Sequence, residues 1–144
     1  MYRILIVLAL LAIPDRLTAQ AKDLERAADR ARKAWFAHDA AALVAGSPRL
    51  LIQLPGADPS VALGPAQAAA LLADFLASAQ EVETVVRAAR EVEPGRGYVE
   101  LQRQYRVAGT QNVRLQALLL GYRRGQEGWR LVEFRVVAVP AQGT

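Results

Sequence analysis

The chain has 144 residues, of which 53% are hydrophobic, and a formal net charge of +4 at pH 7. This length accommodates one domain with a substantial core and is short for two, and the apolar fraction excludes a disordered chain. The basic residues are scattered and form no block, which argues against a nucleic-acid-binding surface. The chain has no cysteine, which excludes thiol catalysis and zinc–thiolate sites.

Residues 1–21 have the pattern of a signal peptide. Arg3 is followed by a run of about ten apolar residues, the length of a signal-peptide core and too short for a membrane span. Ala19 and Ala21 flank Gln20 as in an A-x-A site, which predicts cleavage after Ala21, or alternatively after Ala19. An uncleaved anchor or a buried first helix is the alternative. The expected product is exported, periplasmic or extracellular, with no membrane segment after cleavage.

Helical patterns follow the predicted leader. A first helix is predicted over 22–38 from apolar residues that share one face of a 3.6-residue period, namely Leu24, Ala28, Ala31 and Trp35. Asp39 is a suitable N-cap for a short second helix at 40–45. A third helix is predicted to begin at Pro65, where a missing N–H has no cost, and to run to about Ala79.

The remaining segments predict strands. Two short strands, 50–54 and 61–63, precede the third helix, and four longer ones follow it, at 81–92, 98–107, 113–124 and 129–139, separated by turns rich in Gly, Pro and Asn. The order α-α-β-β-α-β-β-β-β predicts an α+β fold in which a curved antiparallel sheet wraps around N-terminal helices. The predicted organisation is one domain over 22–139 with a tail at 140–144.

Two of the four longer strands are apolar on both faces. Leu118, Leu119 and Leu120 run consecutively, whereas a sheet with one wet face would alternate there. The helices cover one face, so something else covers part of the other. A second copy of the chain is the commonest cover, which predicts a homodimer through the sheet face.

Several segments resemble the nuclear transport factor 2-like superfamily, which has a cystatin-type cone. AWFAHDAAALVA at 34–45 is similar to its junction of the first two helices, with His38 where glycine is usual, and GWRLVEFRVV at 128–137 is similar to its closing strand. Within it, QLPG at 53–56, QAAALLADFL at 67–76 and EFR at 133–135 resemble an uncharacterised group of exported bacterial proteins with a QAxxxLxDFF helix; Leu76 departs from that pattern. The resemblance implies a cone and an exported protein, and no reaction.

The superfamily includes isomerase-like and cyclase-like enzymes, which need a carboxylate base and an oxyanion donor inside the cone. The strand LLIQL at 50–54, where the resemblance implies the base, holds no acid. Asp58 lies in the turn 55–60, where a carboxylate caps local backbone. His38, the single histidine, is adjacent to Asp39 at a helix boundary and is interpreted as a surface residue. No catalytic residue, metal site or cofactor is therefore predicted.

Charged residues interrupt two apolar rows. Arg103 lies on the face of Val99 and Leu101, and Glu133 and Arg135 are expected on the face of Trp129, Leu131 and Val137. If the two faces coincide, Arg103 reaches Glu133 across the strand at 113–123. Such a pair would line a small ligand pocket, brace the fold or lie in a dimer interface. The candidate ligand-binding residues are Arg103, Glu133, Arg135, Tyr105 and Trp129.

Two functions follow from these patterns. The first is a non-enzymatic module that binds a small ligand or a protein; its cone would be filled by aromatic residues, expected to be Trp35, Phe36, Phe75 and Trp129. The alternative is a small cone enzyme of isomerase or cyclase type, with Glu133 or Asp58 as base next to a tyrosine hydroxyl in a closed apolar cavity.

Overall fold

The computed structural model describes residues 13–139, with side chains from residue 19 onward. Its elements are α1 (Ile13–Phe36), α2 (Ala40–Val44), β1 (Leu51–Gln53), α3 (Pro65–Leu76), β2 (Ala79–Glu93), β3 (Arg96–Val107), β4 (Val113–Gly125) and β5 (Gly128–Ala138). The apolar segment of the predicted leader and the tail 140–144 lie outside the described residues. The predicted α+β class is confirmed.

The first helix is longer than predicted. It begins at Ile13 and so continues through the predicted cleavage point after Ala21. Its predicted apolar face is confirmed, because its four members are all 5% exposed or less: Leu24, Ala28, Ala31 and Trp35. The helix ends at Phe36, before the predicted end, because His38 takes a left-handed backbone conformation with φ 55°. Asp39 then caps α2 as predicted, and its Oδ1 accepts from the Ala42 N–H at 3.0 Å.

The segment between α2 and α3 contains one strand where two were predicted. Leu63 makes only an isolated bridge with Leu50, so the predicted strand 61–63 is wrong. Val61 is 79% exposed, and of this segment only Leu63 packs against the core, so little burial supports a strand there. The third helix starts at Pro65 as predicted but ends at Leu76, because Ala79 already pairs with Val107 in β2.

The five strands form one sheet in the order β1-β5-β4-β3-β2. The predicted four-strand meander is confirmed, since β2 to β5 pair antiparallel in sequence order. The short strand β1 adds to the far edge, parallel to β5. We call the face that packs on the helices the inner face and the opposite one the outer face.

A β-bulge in β5 changes which residues point inward. Tyr122 pairs with Leu131 and Gly121 with Glu133, which leaves Val132 as an extra residue. Leu131 and Phe134 are therefore both buried on the inner face, at 4% and 0% exposure. The prediction that Glu133 and Arg135 share a face with Leu131 is wrong, because one extra residue reverses the alternation. Both side chains lie on the outer face.

The interior of the cone is packed with aromatic and aliphatic side chains. Trp35 stacks on Phe134 with ring centroids 5.3 Å apart, and Phe75 lies 6.3 Å from Trp35. Phe36 was expected inside but is 48% exposed, because it follows Trp35 and points about 100° away around the helix. Leu118 and Leu120 are fully buried on the inner face of β4. Truncation of such a residue costs about 3–5 kcal/mol.

Candidate functional site

The strongest polar cluster of the cone is centred on Arg103. This residue alternates inward with Val99 and Leu101 on β3 and is only 1% exposed. Its Nε donates to Glu81 Oε2 at 3.1 Å, its Nη2 donates to Glu81 Oε1, and its Nη1 donates to Gln116 Oε1 at 3.1 Å. Each guanidinium nitrogen thus has an acceptor. Arg103 is therefore paired, which is one of the alternatives that the sequence left open, and its partner is Glu81 and not Glu133.

Aromatic rings surround the guanidinium. Its central carbon lies 4.0 Å from the ring centroid of Tyr105, 4.9 Å from that of Trp35 and 5.8 Å from that of Phe75. Cation–π attraction is strongest where the cation has lost its water, as here. Burial lowers the pKa of Arg103, and the hydrogen bonds and charge of Glu81 oppose this shift. An arginine stays charged even so, and the cluster is therefore a buried ion pair.

His38 completes the cluster at the edge of the cone. Its Nε2 lies 3.1 Å from Glu81 Oε1, and its side chain is 29% exposed whereas that of Glu81 is 2% exposed. The interpretation of His38 as a surface residue agrees with this exposure, but the sequence did not reveal its contact with Glu81. Its occupation of a position where glycine is usual was the available signal, because a non-glycine residue with positive φ is uncommon and is often held by its side chain.

Sequence reasoning missed Glu81. A bulge between Glu81 and Glu83 turns the first inward and leaves the second on the outer face. Both are glutamates at the start of a strand, so nothing local distinguishes them. With both oxygens engaged by Arg103, the Glu81 carboxylate is suited to hold a charge in place and poorly suited to take a proton from a substrate.

The predicted pair of Arg103 and Glu133 does not form. Arg103 is opposite Gln116 on β4, whereas Glu133 is opposite Gly121, about 17 Å further along that strand. The two side chains also lie on opposite faces. Arg135 donates instead from its Nε to Gln53 Oε1 on β1 at 3.0 Å.

The other predicted site residues are dispersed. Tyr105 lies against Arg103, but Trp129 lies near the β4–β5 turn, under the guanidinium of Arg124 at 5.0 Å. Asp58 is exposed in its turn. The structure therefore unites Arg103 with Tyr105 and separates both from Glu133, Arg135 and Trp129.

The outer face carries a shallow groove of about 380 Å³. Its lining includes Tyr98, Leu119, Gly121, Glu133 and Arg135. Gly121 keeps the groove open, because a Cβ there would lie 3.3 Å from the Cβ of Glu133. Burial raises the pKa of the Tyr98 hydroxyl, with the charge of Glu100 acting in the same direction. At neutral pH the Tyr98 hydroxyl is uncharged and can donate a hydrogen bond in the groove that Glu133 and Arg135 also line.

No group of three or more His, Asp or Glu side chains in the described part of the chain is arranged to hold a metal ion. None of the helices within residues 13–139 is long and apolar enough to cross a membrane.

Comparisons with known proteins identify the fold. No family model and no curated protein matches the chain. A ketosteroid isomerase-like protein from Erwinia carotovora atroseptica superposes with a TM-score of 0.70 at 15% identity, over 85% of this chain and 98% of that one. A nuclear transport factor 2-like protein with a cystatin-like fold from Novosphingobium aromaticivorans gives 0.65 at 21% identity, over 89% and 87%.

A third solved structure, a domain of unknown function with a cystatin-like fold from Nostoc punctiforme, gives a TM-score of 0.67 at 16% identity, over 87% of this chain and 80% of that one. At these identities the likeness concerns the fold. The chain has the nuclear transport factor 2-like, cystatin-like fold, as its sequence resemblance implied.

Proposed function

We propose that this protein is a non-catalytic interaction module whose outer sheet face binds a second copy of the chain. The non-catalytic role is inferred from the surroundings of Arg103. Arg103, the most buried charged side chain of the described residues, has each guanidinium nitrogen bonded within the cone and its flat faces against Tyr105 and Trp35. The polar groups that an enzyme would direct at a substrate are directed at each other.

The outer face supports the proposed interface. β4 presents there an apolar row made of Val113, Leu115, Ala117 and Leu119. Val113 is 49% and Leu115 36% exposed. Polar side chains of β3 flank the row, because Gln102 is opposite Ala117 and Glu100 is opposite Leu119. An apolar strip with a polar rim is the usual composition of an interface, and a two-fold axis through it would match the strip to itself.

The interface is tested by a charge on the apolar row. Leu119→Asp places a carboxylate on the outer face, where the monomer tolerates it and a dimer would bury it. We expect sedimentation equilibrium to give a dimer for the wild type and a folded monomer for the variant. Val61→Asp is the matched control, because Val61 is exposed far from the row, and it should stay dimeric. A wild-type protein that sediments as a monomer would contradict the proposal.

A small cone enzyme is the second candidate, and one contact favours it. His38 Nε2 lies 3.1 Å from Glu81 Oε1 at the edge of the cone, so an imidazole and a buried carboxylate are hydrogen-bonded. Thr84 Oγ1, opposite Arg103 on β2, is buried without a hydrogen-bond partner in the described part of the chain. Saturable quenching of tryptophan fluorescence by 2-naphthol, lost in Glu81→Gln, would favour this candidate. The packed interior predicts no saturable quenching.

We also propose that the protein is exported and that residues 1–21 are removed. Residues 21–23 are exposed, and Leu24 is the first buried side chain among those described. Cleavage after Ala21 would therefore shorten α1 and leave the buried residues from Leu24 onward in place.

A further inference from the structure

A cleft of about 480 Å³ lies beside the turn between β4 and β5. Four arginines form its walls, namely Arg49, Arg123, Arg124 and Arg130, and Pro48 and Val132 are among its apolar lining residues. Gly125 leaves room for one of them, because a Cβ on Gly125 would lie 3.1 Å from Arg130 Nε. The residues come from β4, β5 and the segment before β1, which only the folded sheet brings together.

Strand register places these charges against one another. Arg123 is opposite Arg130 on β5 and opposite Arg96 on β3, so three arginines cross the outer face in one row. Like charges directly opposite each other on a sheet are destabilising. Arg96 has a carboxylate partner, Glu93, at 3.3 Å. Arg123 and Arg130 are exposed, so solvent screens part of this repulsion, and an anion bound between them would offset the rest.

The four wall arginines have no carboxylate partner among the side chains that the structure describes. The guanidinium of Arg124 lies over Trp129 on the inner face of the sheet, so its charge is directed away from the cleft. Arg49, Arg123 and Arg130 are exposed. The cleft is therefore bordered by positive charge that no described carboxylate offsets.

We propose that this cleft binds a phosphate monoester whose organic part is apolar. A carboxylate is satisfied by one guanidinium, whereas a phosphate monoester has three terminal oxygens and a charge of about −1.5 to −2, so it can accept hydrogen bonds from several neighbouring arginines. The apolar floor of Pro48 and Val132 accommodates the group that the phosphate esterifies. The volume falls in the range of small-molecule sites.

The cleft is separate from the proposed dimer interface. Arg123 follows Leu119, the last member of the apolar row, by four residues, about 13 Å along β4. A dimer centred on the row would leave the arginines accessible, so ligand binding and dimer formation are measured independently.

Calorimetric titration of the full chain tests the proposal with two soluble probes, phenyl phosphate and inorganic phosphate. We expect phenyl phosphate to bind more tightly than inorganic phosphate, because only the former covers the apolar floor. Arg123→Gln with Arg130→Gln should weaken binding at least tenfold. The control pair, Arg26→Gln with Arg87→Gln, removes the same charge from exposed positions elsewhere and should bind as the wild type does. Circular dichroism confirms that each variant is folded.

A lipid headgroup could supply the same phosphate monoester, so binding of the protein to vesicles is measured separately by sedimentation. Binding to phosphatidylcholine vesicles only when they contain phosphatidic acid, without binding of phenyl phosphate, would identify a lipid headgroup as the source. The proposal is overturned if neither soluble probe nor phosphatidic acid binds. It is equally overturned if the control pair weakens binding as much as the cleft pair, since the attraction would then be that of net charge.

Discussion

Arg103 and Glu81 form a bidentate ion pair in the aromatic interior of the cone, at 1% and 2% side-chain exposure. Burying two charges costs several kcal/mol per ion, and only their mutual attraction and complete hydrogen bonding offset that cost. The pair is therefore sensitive to the loss of one member. Each charge of the pair is neutralised by the other, so the pair is tested by replacing one side chain and then both.

Arg103→Met should lower the free energy of unfolding by about 3–5 kcal/mol, because it leaves the Glu81 carboxylate buried without its cation. The cost is this large because Arg103 is completely enclosed, which the alternation pattern of β3 alone does not show. The double variant Arg103→Met with Glu81→Leu should recover most of the loss. Urea unfolding of the two single variants and the double variant measures the coupling. Additive losses would mean that the two side chains act independently.

At the scale of elements, the close approach of α1 to β3 beside Leu24 requires a glycine at position 97. Gly97 on β3 is buried, and a Cβ there would lie 2.8 Å from Leu24 Cδ1 and 3.3 Å from a ring carbon of Trp129. The helix thus lies closer to the sheet at this position than any side chain permits. Helix and strand would have to separate, or Leu24 would have to change rotamer, to admit a methyl group.

Gly97→Ala should destabilise the protein by about 1–3 kcal/mol through this overpacking. Gly64→Ala is the control for an added methyl group that meets nothing within 4 Å. Because Gly64 is the N-cap of α3, where alanine is less favoured, this control should itself cost about 0.5–1 kcal/mol. Thermal unfolding followed by circular dichroism should show a larger fall in melting temperature for Gly97→Ala. Equal melting temperatures for Gly97→Ala and Gly64→Ala would mean that Leu24 changes its rotamer without a further loss of stability.

At the scale of the whole molecule, the end of the proposed leader and the start of the domain lie in one helix. α1 is continuous from Ile13 to Phe36, yet its buried side chains begin at Leu24 among those described. A cut after Ala21 would leave the buried side chains from Leu24 onward in the domain. The proposed export is therefore compatible with the packing of this part of the helix.

Expression of the full chain in a bacterium with a periplasm should yield a periplasmic protein whose intact mass corresponds to a start at Lys22. Ala21→Leu, which removes the small residue before the cut, should leave the leader attached. Mass spectrometry of the periplasmic and cytoplasmic fractions shows, for the wild type and the variant, whether residues 1–21 are still attached. A full-length, cytoplasmic wild-type protein would exclude the proposed export.

The element order and the inner face of β3 could be predicted from the sequence. Period-2 alternation from Val99 to Arg103 and the period of 3.6 from Leu24 to Trp35 report burial directly, because a side chain's direction follows from its position within a regular element. The same reasoning failed for Glu133 and Arg135. A bulge at Val132 adds one residue, and no local feature of the sequence marks it.

The candidate sites could mostly not be predicted from the sequence, because they too depend on bulges and on strand order. Glu81 and Glu83 look alike in the sequence, and a second bulge decides which of them faces Arg103. The arginine cleft joins residues 49, 123 and 130, and their proximity depends on strand order and register.

The sequence by itself determined the fold class, the helix caps and the inward direction of Arg103, because these depend on local periodicity and on backbone preferences of single residues. Only the tertiary structure decided the partner of Arg103, the outward direction of Glu133 and the gathering of the four arginines. Those depend on where each strand gains one residue and which strand lies beside it, and both are settled by the packing of the whole sheet.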